Sequence, residues 1–204
     1  MEIRFESINW EMYEMDLKGS KTEKLVLAAF AGESQARTRY TFFASAAKKE
    51  GFEQISALFT ETADNEKEHA QLFFKHLLGG EVEITAKYPA GKIGTTVENL
   101  KAAAAGEKLE WGTLYPEAAA TAEKEGFREI ANTFRMIGMV ESYHERRYLK
   151  LLSNLESNQV FKKASPVKWK CRNCGHVLES KEVPMKCPVC AHDRPFFEVF
   201  VENY

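Results

Sequence analysis

The feature that most constrains this fold is a short pattern that occurs twice. Glu66 and His69 lie three positions apart, and Glu141 and His144 repeat the pair 75 positions later. Residues three positions apart share one face of an α-helix, so each pair predicts a carboxylate and an imidazole that point the same way. Two such pairs facing each other inside a helical bundle would supply half of a two-metal site.

The repeat extends well beyond these two pairs. At the offset of 75, Glu50-Gly51-Phe52 matches Glu125-Gly126-Phe127 and Tyr40 matches Tyr115, while Gly32-Glu33 matches Gly106-Glu107 at an offset of 74. A repeat that keeps acidic residues as well as core positions is hard to explain by packing alone. It predicts an all-α four-helix bundle with a pseudo-twofold axis through its middle.

Apolar periodicity predicts where the four helices lie. They are expected over about 22–50, 52–78, 95–124 and from 126 onward. Thr22 is predicted to cap the first helix, and Thr95 to cap the third. Pro116 is expected to kink the third helix, because proline lacks the backbone donor and crowds the carbonyl four residues earlier.

One acidic residue from each helix is expected at a common level of this bundle. One Glu from each of two helices plus Glu-x-x-His from the other two is the ligand pattern of di-iron and di-manganese carboxylate bundles. The alternative, that these side chains are solvated, is disfavoured because they continue the apolar stripes, and buried carboxylates without cations are costly. The predicted ligands are Glu33, Glu66, His69, Glu107, Glu141 and His144, with Glu110 as a further carboxylate on the face of Glu107.

All four cysteines of the chain are grouped near its end. Cys171 and Cys174 form one Cys-x-x-Cys pair, and Cys187 and Cys190 form a second pair after twelve intervening residues. Four thiolates at this spacing predict a tetrahedral metal site, and the spacing alone leaves iron and zinc open. About 36 residues follow the Ser165-Pro166 boundary, a length that usually needs a metal in order to fold.

The chain is therefore divided into four parts. Residues 1–20 are predicted as an arm of unknown role, 21–157 as the di-metal bundle, 158–168 as a linker and 169–204 as the cysteine domain. The net charge of −2 gives no reason to expect nucleic acid as a partner. No apolar run suits a membrane span and no secretory pattern opens the chain, so a cytoplasmic location is expected.

These motifs closely resemble those of the rubrerythrin family over about residues 18–204. The resemblance rests on Gly32-Glu33-Ser34-Gln35-Ala36-Arg37, Glu66-Lys67-Glu68-His69, Tyr88-Pro89-Ala90-Gly91, Ala105-Gly106-Glu107 with Glu110, Glu141-Ser142-Tyr143-His144-Glu145 and Cys171-Arg172-Asn173-Cys174-Gly175. It implies a ferritin-like di-iron bundle followed by a rubredoxin-like Fe(Cys)4 domain, with zinc as a possible misloading. Glu110 is the single residue that best distinguishes this family from ferritins, since ferritin-type sites generally lack this extra carboxylate.

The resemblance also implies an activity, the reduction of hydrogen peroxide to water at the di-iron site. Glu33 and Glu107 would each hold one iron, Glu66 and Glu141 would bridge, and His144 would hold one iron permanently. The other iron would exchange Glu110 for His69 between its oxidised and reduced states. Tyr40 and Tyr115 would bond ligand carboxylates.

The implied partners are an electron donor and a second copy of the chain. Electrons would come from a donor such as rubredoxin with an NAD(P)H-dependent reductase, and pass singly through the cysteine iron. A head-to-tail homodimer would bring one subunit's cysteine iron near the other's di-iron site. Two alternatives are a ferroxidase that uses dioxygen and a non-redox helical adaptor with a structural zinc ribbon.

Overall fold

The computed structural model describes residues 16–203. Five α-helices form the bundle: α1 (Lys21–Lys49), α2 (Glu53–His76), α3 (Thr96–Leu109), α4 (Tyr115–Lys124) and α5 (Arg128–Glu156). A π-helical turn (Glu110–Leu114) joins α3 to α4, so these two helices form the third of four columns. The predicted fold class, a four-helix bundle followed by a small cysteine domain, is confirmed.

The first helix begins earlier than predicted. Ser20, rather than Thr22, is its N-cap, and the Ser20 side chain accepts a hydrogen bond from the backbone N–H of Glu23. Thr22 is already inside the helix and fully buried. The predicted arm over 1–20 lies mostly outside the described residues, but Leu17 is buried in a core cluster with Val26.

Two glutamates that follow helices cap the opposite halves of the bundle. The Glu50 carboxylate accepts a hydrogen bond from the backbone N–H of Thr96, at the start of α3, at 2.9 Å. The Glu125 carboxylate accepts one from the backbone N–H of Thr22, at the start of α1, also at 2.9 Å. Each cap satisfies an otherwise unpaired donor of a first helical turn. The sequence repeat at Glu50 and Glu125 is thus a reciprocal pair of caps.

At Pro116, where a kink is predicted, the structure has a π turn directly before the proline. The backbone N–H of Tyr115 donates to the carbonyl of Glu110, five residues earlier, and Pro116 then occupies the first turn of α4. Proline lacks a backbone donor and crowds the carbonyl four residues earlier, so it interrupts the regular bonding of this continuous column at the point where the π turn ends.

Strands begin inside the segment predicted as a linker. Strand β1 (Lys162–Cys171) pairs antiparallel with β2 (Val177–Glu182) on one side and with β3 (Phe197–Val199) on the other. The β1–β2 register shifts between Lys162 and Val167, the stretch that contains Pro166. Proline cannot donate to a ladder and is found in strands at such irregularities, so the predicted boundary at Ser165-Pro166 coincides with an irregular stretch of β1.

The cysteine domain packs on the end of the bundle where α1 turns into α2. The Phe52 ring stacks on Phe161 with centroids 6.1 Å apart, and Pro195 lies against Gly51. Phe161 also packs on the domain's own core of Trp169, Cys171, Val183, Cys187 and Phe197. Within residues 16–203, none of the helices has both the length and the apolar character that a membrane span needs.

Candidate metal centres

Six of the seven predicted bundle ligands meet in the middle of the four helices. Two groups of side chains each place their ligand atoms within 4.8 Å of one another, and Glu66 and Glu141 belong to both groups. The first group adds Glu33 and His69, and the second adds Glu107 and His144. All six side chains are buried. Two shared carboxylates between two outer sets are the arrangement of a two-metal site.

The two imidazoles touch the shared carboxylates. His69 Nδ1 lies 2.8 Å from Glu66 Oε2 and 2.9 Å from Glu141 Oε1. His144 Nδ1 lies 2.7 Å from Glu141 Oε2 and 3.2 Å from Glu66 Oε1. The two rings face each other with centroids 5.9 Å apart. The Glu and the His of each Glu-x-x-His pair therefore point the same way and contact each other, as helical spacing predicts.

The electrostatics of the cluster show an excess of negative charge. Burial raises the pKa of Glu33 and of Glu107 well above the ordinary value, and repulsion from the other carboxylates adds to this rise. Burial opposes the charged form of His144, but contacts with Glu107, Glu141 and Glu66 outweigh it and raise its pKa to about 12. Four buried carboxylates beside two imidazoles need further positive charge.

The unpartnered atoms indicate where that charge belongs. Glu33 Oε2 and Glu107 Oε2 are buried without a hydrogen-bond partner. The close approaches of the imidazoles to Glu66 Oε1 and to both oxygens of Glu141 also lack hydrogen-bond geometry, so these oxygens and His144 Nδ1 are not satisfied by one another. Such orphaned atoms are rare in native cores and need an explanation. Metal cations would use these lone pairs, and a set of carboxylates and imidazoles suits iron. The donor set therefore fits the two irons that the sequence predicts.

Glu110 is the predicted ligand that lies outside both groups. It opens the π turn and is only half-buried. Burial raises its pKa to about 8, helped by repulsion from Glu141 and Glu66, while the positive charges of Arg39 and His69 act in the opposite direction. Glu110 is therefore close enough to interact electrostatically with the cluster, but its carboxylate is not among the converging ligand atoms.

Two tyrosines hold the outer carboxylates from opposite halves of the bundle. Tyr40 on α1 donates its hydroxyl to Glu107 Oε1 on α3 at 2.5 Å, and Tyr115 on α4 donates to Glu33 on α1. Both rings are buried. The tyrosine repeat is thus a reciprocal pair of bonds that leaves one oxygen of each carboxylate facing the cluster.

We expect Tyr115→Phe to weaken iron binding in the bundle about tenfold, because partners that orient a ligand typically contribute 10–100-fold. Iron affinity would be measured by anaerobic competition with a chelator. Tyr143→Phe is the matched control, since Tyr143 is exposed on α5 beside Arg146. Equal affinities for the Tyr115 and Tyr143 variants would contradict the assignment.

The four cysteines converge at a second site. Cys171 Sγ lies 3.8 Å from Cys190 Sγ, and Cys174 Sγ lies 3.6 Å from Cys187 Sγ. Metal–sulfur bonds of about 2.3 Å in a tetrahedron place sulfurs roughly 3.8 Å apart, so the spacing matches a tetrahedral metal site and excludes disulfides. A backbone hydrogen bond from His192 lowers the pKa of the Cys190 thiol to about 6, which favours the thiolate.

The two cysteine loops share one backbone design. The N–H of Cys171 donates to the carbonyl of His176, and the N–H of Cys187 donates to the carbonyl of His192, both at 2.8 Å. Gly175 and Ala191 occupy the same place in the two loops, each at positive φ. His176 and His192 thus contribute backbone carbonyls to the turns, and the metal-binding group contains only the four thiols.

Family models match both parts of the chain. The model described as Rubrerythrin matches residues 24–152, and the model described as Rubrerythrin, rubredoxin-like domain, matches residues 169–198. A rubrerythrin of Porphyromonas gingivalis is 61% identical over 188 residues, which cover 92% of this chain and 94% of the relative. A rubrerythrin of Nitratidesulfovibrio vulgaris is 50% identical over 188 residues, covering 92% and 98%.

Solved structures show the same architecture. The fully reduced, all-ferrous state of nigerythrin aligns over 98% of this chain and 100% of its own, with a TM-score of 0.60 and 28% identity. The bacterioferritin of Desulfovibrio desulfuricans aligns over 68% of this chain and 82% of its own, with a TM-score of 0.60 and 21% identity. The second likeness shows the fold alone, which is a ferritin-like bundle.

Proposed function

This chain belongs to the rubrerythrin family, and from that premise we propose that it is a non-haem di-iron peroxidase. It reduces hydrogen peroxide to water with electrons relayed through the four-cysteine iron site. One observation carries the proposal: a buried cluster with ligands for two metals occurs in one chain with a tetrahedral thiolate site. The first suits a two-electron reaction, and the second suits transfer of single electrons.

The reaction fixes what the bundle must provide. Breaking the O–O bond of hydrogen peroxide consumes two electrons and two protons and yields two water molecules. Bound iron would supply the electrons and act as a Lewis acid at the peroxide oxygens. The protein must hold both metals rigidly, keep bulk water away and leave room for one small substrate.

Six of the ligands have roles that their positions support, and the role of Glu110 follows from the family resemblance. Glu33 and Glu107 would each hold one metal through the oxygen that its tyrosine leaves free. Glu66 and Glu141 would bridge, because both belong to the two groups of converging atoms. His144 would stay on one metal. On the other metal, Glu110 would offer an anionic oxygen when the iron is oxidised, and His69 a neutral nitrogen when it is reduced.

The position of the cysteine domain favours a relay between two subunits. This domain packs at Phe52, and Glu66 lies about 20 Å further along α2 at 1.5 Å per residue. A head-to-tail homodimer would shorten this path by placing one subunit's cysteine iron beside the other's di-iron site. An electron carrier such as rubredoxin, fed by an NAD(P)H-dependent reductase, would re-reduce the cysteine iron.

The proposal is tested by anaerobic rapid mixing of the fully reduced protein with hydrogen peroxide. The iron–thiolate absorption of the oxidised cysteine site should appear rapidly, and more slowly when dioxygen replaces peroxide. Faster oxidation by dioxygen than by peroxide would favour the ferroxidase alternative. Absence of the iron–thiolate colour after reconstitution with iron would favour a zinc ribbon instead.

A further inference from the structure

The two halves of the bundle differ by one residue at the π turn. Tyr40 follows Glu33 by seven positions, whereas Tyr115 follows Glu107 by eight. Both tyrosines nevertheless bond the outer carboxylate of the opposite half. A π turn absorbs one extra residue in a helix, and α1 runs without such a turn from Lys21 to Lys49. The turn is therefore an asymmetry built into a repeated framework.

The extra residue accompanies a carboxylate that the first half lacks. Glu110 opens the π turn, and the position that precedes it by 74 is Ala36, which is buried in the core. Residues 112–114 are exposed, so they do not hold the turn against the bundle. The direction of Glu110 must depend on another contact.

That contact is made by Trp111. Its indole N–H donates to Glu145 Oε2 on α5 at 2.7 Å, and both side chains are half-buried. Lys108 Nζ lies over the indole ring, 3.7 Å from its centroid. Glu145 directly follows His144, so the bond ties the π turn to the segment of α5 that carries two predicted ligands.

We propose that Trp111 is a positioning residue whose bond to Glu145 holds the π turn so that Glu110 can reach the iron cluster. The inference rests on the proposed role of Glu110 as a ligand of the oxidised iron. Because an anionic oxygen stabilises ferric over ferrous iron, loss of this ligand raises the reduction potential of the iron that it holds. Loosening the turn has the same effect, acting through Glu110.

The test is a set of anaerobic redox titrations of the iron-loaded, full-length protein. Trp111→Phe removes the N–H donor and keeps an aromatic ring. It should shift the ferric-to-ferrous equilibrium of one bundle iron about tenfold toward the ferrous form, which is the lower end of the effects typical of outer contacts of a metal site. For a one-electron couple this raises the reduction potential by about 59 mV. Glu145→Ala should raise the potential by a similar amount. Glu145→Gln keeps an acceptor oxygen for the indole N–H, so its potential should stay close to that of the native protein. Arg146→Ala, which alters only an exposed contact with Tyr143, serves as the control.

A double-mutant cycle separates positioning from a merely structural role. In a Glu110→Ala background, Trp111→Phe should leave the potential unchanged, because the residue through which it acts is gone. An equal shift in both backgrounds, or no shift in the native background, would overturn the inference. An unchanged potential in Glu110→Ala alone would instead remove Glu110 from the ligand set. Peroxide turnover does not enter these readouts, so failure of the peroxidase proposal is distinguished from failure of this one.

Discussion

Replacing Glu66 with glutamine should lower peroxide turnover at least about 100-fold. Even residues that only orient a metal ligand contribute 10–100-fold, and Glu66 belongs to both groups of converging atoms. The substitution keeps the shape of the side chain but removes one buried negative charge that repels Glu33 and Glu107. Loss of this repulsion is offset by loss of the attraction between Glu66 and the imidazoles of His69 and His144. The metal-free bundle should therefore unfold within about 5 °C of the native protein, so a loss of activity would not reflect a loss of fold.

Glu68 provides the matched control for this experiment. It lies on the same helix two residues later, but its side chain is exposed. Glu68→Gln should leave turnover within about twofold, as expected of a surface position away from structural features. The measurements are steady-state peroxide reduction, iron content and thermal unfolding of the metal-free protein. Native turnover in Glu66→Gln, with two irons still bound, would exclude the buried cluster as the reaction site.

Replacing Cys174 with alanine should separate the two halves of the reaction. Cys174 is the exposed member of the thiolate group, so its removal opens the metal site with little change in the domain core. Donor-driven turnover should fall at least about 100-fold, since a four-coordinate site loses one of its ligands. A bundle reduced chemically beforehand should still be oxidised by one equivalent of peroxide at close to the native rate.

Val189→Ala is the control for the cysteine variant, because Val189 lies within the second cysteine loop and is exposed. It should keep the iron–thiolate absorption and the donor-driven turnover. If Cys174→Ala retained full turnover with the native donor, electrons would reach the bundle by another route. If it abolished the single oxidation of a reduced bundle as well, the cysteine domain would be required for more than electron delivery.

Helical periodicity was sufficient to predict the bundle and to bring its main donors together. Glu66 and Glu141 continue the apolar stripes of their helices. Burial of each stripe therefore places these residues inside the bundle, wherever the helices begin and end. The cysteine group was equally predictable, because four thiolates within a short segment have few other arrangements. These features depend on periods and spacings, which a single sequence displays.

The parts that were missed depend on contacts between distant segments. The sequence repeat contains Glu50 and Glu125, but their role as caps of the opposite half depends on which helix ends are adjacent, and the repeat does not give this. Helical spacing and the family resemblance both predict Glu110 as a ligand, but the spacing does not predict the π turn that begins at Glu110. The change of offset from 74 to 75 between Glu107 and Tyr115 was the available indication of the turn.

The reciprocal caps at Glu50 and Glu125 have a consequence for how the bundle opens. Each glutamate sits at the bend of one helical hairpin and completes the first turn of a helix in the other hairpin. Neither hairpin can therefore detach without leaving backbone donors of both unsatisfied. The backbone amides of Thr22 and Thr96 should exchange with solvent only when the whole bundle unfolds, as members of one cooperative unit. A metal cluster shared by four helices is thus enclosed in a scaffold whose two halves open together.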